Sequence, residues 1–219
     1  MIKYVLFDMD GTLLDTEPLY EQSWIEAGRR YGVEVGDMYA TLVCGRPVES
    51  AKYALWDRFG KDFDAEGVVS YRMARYRELA QKDLRLKAGC VEILEFLREQ
   101  DIPCALATST LTDLALANLK RTGIADYFDA VVTSAMVERG KPYPDIFLEA
   151  GKRIGADADS CIVCEDSYSG IAAAHAAGMK PVFIPDRQPP NGDTEDMAYK
   201  TRENLFEVIE LIKKEKKII

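Results

Sequence analysis

Short apolar runs separated by longer helical patterns constrain this chain more than any other feature. Val5-Leu6-Phe7 with the residues leading into them, then Pro103–Ala107, Ala130–Thr133, Cys161–Cys164 and Pro181–Ile184, read as buried strands. Segments near 89–100, 111–122, 144–154, 168–177 and 203–214 carry helical spacing between and after them. Strands alternating with helices predict a parallel sheet covered on both faces. Thr110, with Asp113 three residues on, resembles a capping box for the second of these helices, and Gly123 supplies its stop.

Residues 16–82 break the alternation, with no convincing strand. Leu19, Tyr20, Ser23, Trp24 and Ala27 share one helical stripe, and Val69, Met73, Tyr76, Leu79 and Ala80 another. Thr16 can cap the first helix, and Pro18 is tolerated in its opening turn. The expected organisation is an α/β core from residues 1–15 and 83–219, interrupted by an α-helical domain at 16–82. Hinges are expected near 14–17 and 80–88.

Composition narrows the function classes. The chain has 219 residues, 47% hydrophobic and 30% charged, the profile of a globular protein. A net charge of −9, with no dense basic stripe before the tail at 213–217, argues against nucleic-acid binding. No apolar run reaches the roughly 20 residues of a membrane span, and no signal peptide is recognisable. A cytoplasmic location is expected. Of the five cysteines, Cys161 and Cys164 have C-x-x-C spacing, but on a strand such residues face opposite ways. Reduced, buried thiols are the expectation.

Ligands of parallel sheets bind at the carboxyl ends of the strands, and polar residues gather there. Asp8 and Asp10 follow the first strand, Thr108 and Ser109 the second, and Glu165 and Asp166 another, while Lys141 sits in the loop GKPYPD before a helix. Like charges as close as Asp8 and Asp10 repel, so they call for a cation. Oxygen-rich sets of this kind suit Mg2+. Lys141, the two hydroxyls and the backbone N–H groups of the Gly11 turn add anion donors. Cation and anion donors together suit a phosphoryl group. One aspartate can attack phosphorus while a second carboxyl exchanges the proton.

FDMDGTLLDT, LATST, GKPYPD and CEDSYSGIAAAHAAG, in that order, resemble the four motifs of the haloacid dehalogenase superfamily. The helical segment resembles the cap inserted after the first strand in one branch. The resemblance implies a Rossmann-like parallel core with an inserted helical cap. It implies that Asp8 is the nucleophile and Asp10 the general acid/base. It places Mg2+ on the Asp8 side chain, the Asp10 carbonyl and Asp166, with Glu165 nearby, and the phosphoryl oxygens on Thr108, Ser109 and Lys141.

DTEPLY followed by a helical cap looks most like the branch of sugar-phosphate phosphatases and β-phosphoglucomutase. The mutase uses a His in its first cap helix; Tyr20 stands at the matching position, and His175 is the only His here. Hydrolysis of a small phosphorylated metabolite, a sugar phosphate, is therefore expected, in a monomer or weak dimer. A phosphohexomutase, an inorganic pyrophosphatase and a non-catalytic phospho-ligand binder stay open. Arg46 in CGRPVES is the cap candidate for a substrate anion, Tyr20 and Trp24 are candidates for the cap core, and His175 is expected to pack.

Overall fold

The computed structural model describes residues 1–35 and 48–216, the side chains of 48–50 excepted. The chain divides into two compact units, residues 1–15 with 85–219, and residues 16–84.

In the first unit six strands form one parallel sheet. They are β1 (Tyr4–Phe7), β2 (Cys104–Thr108), β3 (Ala130–Thr133), β4 (Cys161–Glu165), β5 (Lys180–Phe183) and β6 (Lys200–Thr201). Their order is β3-β2-β1-β4-β5-β6, so the winding reverses beside β1. Phe7 lies opposite both Leu106 and Cys164, which brings three strand ends to one level. A crevice at such a reversal is where open α/β sheets place their ligands. The chain leaves this unit and returns through a stem in which Asp15 N–H donates to the Arg85 carbonyl and Lys87 N–H to that of Leu13.

The second unit consists of α1 (Glu17–Arg30), α2 (Val48–Phe59) and α3 (Ala65–Asp83). Trp24, Ala27, Leu55, Val68 and Val69 form its buried core. Tyr20 stacks on Tyr76 at 4.2 Å between ring centroids. The buried Arg72 lays its guanidinium 5.1 Å from the ring centroids of both Tyr20 and Trp24. Asp64 caps α3 through the Gly67 N–H. Thr16 stands at the N-cap of α1, but its side chain makes no capping bond, contrary to expectation. The helix opens on Glu17 and Pro18, the proline's fixed φ suiting the first turn, without a hydroxyl cap.

The helices around the sheet are α4 (Cys90–Glu99), α5 (Thr112–Thr122), α6 (Asp145–Arg153), α7 (Tyr168–Ala176), α8 (Gly192–Met197) and α9 (Leu205–Lys216). Leu6, Ala105, Val132, Phe147, Val163 and Ala173 are wholly buried in the layer between sheet and helices. Alanines on β2 and α7 allow close approach, and the larger side chains each contribute about 1.5–3 kcal/mol by leaving water. Gly123 ends α5 at φ 73°, as its position predicts. His175 is exposed instead of packed, because α7 buries the Ile171, Ala173 and Ala174 side and turns His175 outward. Strand β6 and helix α8 carry no apolar signal in sequence, being short and largely solvent-facing.

Candidate active site

The backbone at the end of β1 turns as soon as the ladder stops. Asp8 N–H still donates to the Cys164 carbonyl, while Leu13 and Leu14 N–H both donate to the Met9 carbonyl. Met9 is thus driven into the core, fully buried, and the carboxylates on either side of it are left at the rim. Gly11 adopts φ 84°, and a Cβ there would overlap the Asp166 carboxylate, so glycine is required twice over.

Lys141 ties the strand ends together. Its side chain is 4% exposed, and Nζ donates to Asp8 Oδ1 at 2.5 Å and to Glu165 Oε1 at 2.7 Å. The loop that delivers it is closed by a two-pronged ion pair, Arg139 Nε to Asp145 Oδ1 at 3.0 Å and Nη2 to Oδ2 at 2.9 Å. The Lys141–Pro142 peptide is cis, and the ammonium lies 5.0 Å from the centre of the buried Phe147 ring.

Each of the other carboxylates is held by a hydroxyl. Thr110 Oγ1 donates to Asp10 Oδ2 at 2.6 Å, and Thr12 Oγ1 to Asp166 Oδ1 at 3.1 Å. Glu165 Oε2 accepts from both the N–H and the hydroxyl of Ser167, at 2.6 and 2.9 Å. A Cβ on Gly170 would overlap the Glu165 carboxylate, so the first turn of α7 carries a glycine where that side chain passes. Ser167 also caps α7 by accepting from the Gly170 N–H.

Burial pushes the Asp8 carboxyl up, Lys141 pulls it back, and the Glu165 and Asp10 carboxylates push it up again, leaving it at about 8. Burial alone would lower the Lys141 ammonium, but the Asp8 and Glu165 carboxylates outweigh it and hold the group well above its usual range. One buried cation therefore stands among a surplus of carboxylates.

The structure brings Asp8, Asp10, Glu165 and Lys141 together and places Thr108, buried, next to them through Thr110, whose N–H donates to Thr108 Oγ1 at 3.1 Å. Asp166 follows directly, its carboxylate against Gly11. Ser109 is exposed at the end of β2, and Arg46 lies outside the described residues. Glu165, expected beside a metal, has its two oxygens taken by Lys141 and Ser167. Thr12 and Thr110 were not singled out as site residues in sequence. A hydroxyl directly after the Asp-x-Asp-Gly turn is a signal for Thr12. Thr110 is masked by its fit to a capping box, yet α5 starts at Thr112 behind Leu111, with no side-chain cap.

A family model of haloacid dehalogenase-like hydrolases matches residues 2–178. The chain is 32% identical over 179 residues to the phosphorylated carbohydrates phosphatase of Thermotoga maritima, covering 82% of this chain and 83% of that one. It is 32% identical over 180 residues to the fructose-1-phosphate phosphatase YqaB of Escherichia coli, covering 82% and 95%. A crystal structure of a candidate beta-phosphoglucomutase from Thermotoga maritima aligns over 100% of both chains, with a TM-score of 0.81 and 28% identity. The chain belongs to the haloacid dehalogenase-like hydrolase family.

Proposed function

We propose that this hydrolase is a Mg2+-dependent phosphatase of a small phosphorylated metabolite, a sugar phosphate, working through an aspartyl-phosphate on Asp8. The observation that carries this reading is the Lys141 ammonium held between Asp8 and Glu165 at the reversal of the sheet, with Asp10 alongside. Sugar phosphates are the substrates named for two relatives, a carbohydrate phosphatase and a fructose-1-phosphate phosphatase.

Asp8 attacks phosphorus, and the bond from phosphorus to the leaving alcohol breaks as Asp10 gives that oxygen a proton. Water then attacks the same phosphorus and gives its proton to Asp10, releasing phosphate and restoring the Asp8 carboxylate. Lys141, Thr108 and Ser109 bind the phosphoryl oxygens. In this reading Glu165 positions Lys141 and is not a metal ligand, which departs from the sequence expectation.

The donor set fits Mg2+. Asp8 and Glu165 share the single Lys141 ammonium while Asp10 and Asp166 stand beside them on hydroxyls, an oxygen-rich set that suits a divalent cation. Among the described residues no three His, Cys, Asp or Glu side chains make a metal cluster, and the proposed set needs only the Asp8 and Asp166 carboxylates with the Asp10 carbonyl. When bound, the ion would neutralise charge on the phosphoryl group and polarise it. The helical unit at 16–84 is assigned the role of cap, selecting the leaving group, with Arg46 its proposed anion contact. Among the described residues no helix is long and apolar enough to cross a membrane.

A mutase is the second reading, favoured by the resemblance to the candidate beta-phosphoglucomutase. Against it, Tyr20 replaces the expected His, its ring stacked on Tyr76, and a phenol is a poor base at neutral pH. Phosphate release from a panel of sugar phosphates, with and without Mg2+, tests both. Metal-dependent release supports the phosphatase; no release from any member overturns it. Conversion of a hexose 1-phosphate to the 6-phosphate with little free phosphate supports the mutase, and cleavage of pyrophosphate far above any ester a pyrophosphatase.

A further inference from the structure

We propose that Thr110 is a positioning residue for proton transfer: its hydroxyl fixes the Asp10 carboxylate in the orientation that serves the leaving oxygen and then the attacking water. The inference rests on the role proposed above for Asp10.

Three observations carry it. Thr110 Oγ1 lies 2.6 Å from Asp10 Oδ2, the span of a hydroxyl donating to a carboxylate. The hydroxyl has been diverted from the task its sequence position suggests, since α5 is capped at Leu111 without a side-chain bond. The backbone of Thr110 is itself fixed, its N–H donating to the buried Thr108 Oγ1 at 3.1 Å. One three-residue turn at the end of β2 therefore holds both a proposed phosphate-binding hydroxyl and the proposed proton-exchanging carboxylate. The β-branched side chain restricts χ1, which narrows the directions open to the donor.

The same logic does not extend with equal force to the other two hydroxyls. Thr12 holds Asp166 and Ser167 holds Glu165, groups whose proposed tasks are electrostatic. Proton transfer demands more of geometry, because the carboxyl must meet an oxygen that is changing its bonding. A misplacement of about 1 Å can cost 10²-fold. Thr110 does not touch the reacting atoms in this scheme, so it acts only through Asp10.

The decisive experiment compares Thr110→Val, which keeps the shape and loses the hydroxyl, with Thr110→Ser, which keeps the hydroxyl. Two substrates are used: p-nitrophenyl phosphate, whose phenol leaves without help, and an alkyl ester from the sugar-phosphate panel. In rapid-mixing measurements of the first step, Thr110→Val is expected to lower alcohol release from the alkyl ester by roughly 10- to 100-fold, a part of the roughly 10²–10⁴ that acid–base catalysis supplies in full. The p-nitrophenol burst should change by less than about threefold, and Thr110→Ser should return alkyl-ester cleavage to within about threefold of native. Native-like cleavage by Thr110→Val, equal losses on both substrates, or a Ser variant as slow as the Val variant would each overturn the role of Thr110. Native protein that cleaves neither substrate overturns instead the phosphatase reading, and with it this inference.

Discussion

The two units of this chain are held together by different means. In the α/β unit the polar residues that matter are buried or half-buried at strand ends, each tied to a named partner: Asp8 and Glu165 to Lys141, Asp10 to Thr110, Asp166 to Thr12. In the described part of the helical unit the interior is aromatic and aliphatic, and the buried Arg72 lies over aromatic faces. A buried ion pair adds little net stability but is costly to break, whereas an apolar core adds stability directly. The lesson is that the first unit should lose chemistry when its polar groups change, and the second should lose stability when its apolar groups change.

Asp8→Ala tests the first half most severely. Turnover should fall by ~10⁴-fold or more, because no other group can form the aspartyl-phosphate. Thermal melting should show a folded protein; robust turnover in that variant would break the comparison at once. Lys141→Met should lower kcat by ~10²–10³-fold, as loss of an oxyanion donor does. It also strands Asp8 and Glu165, so urea denaturation should register a loss approaching 3–5 kcal/mol. An unchanged urea midpoint would mean that the two carboxylates do not depend on Lys141.

Leu55→Ala, in the core of the helical unit, should cost about 2–5 kcal/mol in that unit by urea denaturation. Its p-nitrophenyl phosphate turnover, measured on folded protein, should fall far less than in Asp8→Ala. A folded Leu55→Ala protein as inactive as Asp8→Ala would erase the distinction.

The smallest effect concerns the thiols of the α/β unit. Burial pushes Cys90, Cys104 and Cys161 up to about 12 each. They therefore remain neutral between pH 7 and 9, where an unfolded thiol begins to ionise near ~8.5. In a Cys44→Ser background, thiol labelling of native protein should be slow at pH 8 and complete only on denaturation. Because these folded-state values are raised, the thiols favour the folded form below the unfolded value, and that contribution is lost as pH climbs from about 9 towards 12. Fast native labelling at pH 8 would show that the strands open readily.

The difference between the units also explains what could be read from sequence. Strands buried on both faces announce themselves as apolar runs, so β1 to β5 and the residues that follow them are legible, Asp8 and Asp166 among them, while Lys141 is legible only from its loop, GKPYPD. Thr110 was not, because Thr-x-x-Asp fits a helix cap as well as a hydroxyl reaching for Asp10. The resemblance to the family implies a place for Glu165 near a metal; only geometry shows its oxygens engaged by Lys141 and Ser167. His175 misled because an alanine-rich helix has no strong apolar stripe to fix which side is buried. In the helical unit, spacing predicts which residues form the core, but the packing of Arg72 over Tyr20 and Trp24 leaves no sign in that spacing.

The central claim is that Asp8 becomes covalently phosphorylated. The direct measurement is rapid quenching during turnover, borohydride reduction and peptide mass spectrometry, which converts a phosphorylated aspartate to homoserine. Native protein turning over a sugar phosphate with Mg2+ is expected to yield homoserine at position 8, and Asp8→Asn none. Turnover with no label at Asp8, or a label on another carboxylate, would contradict it.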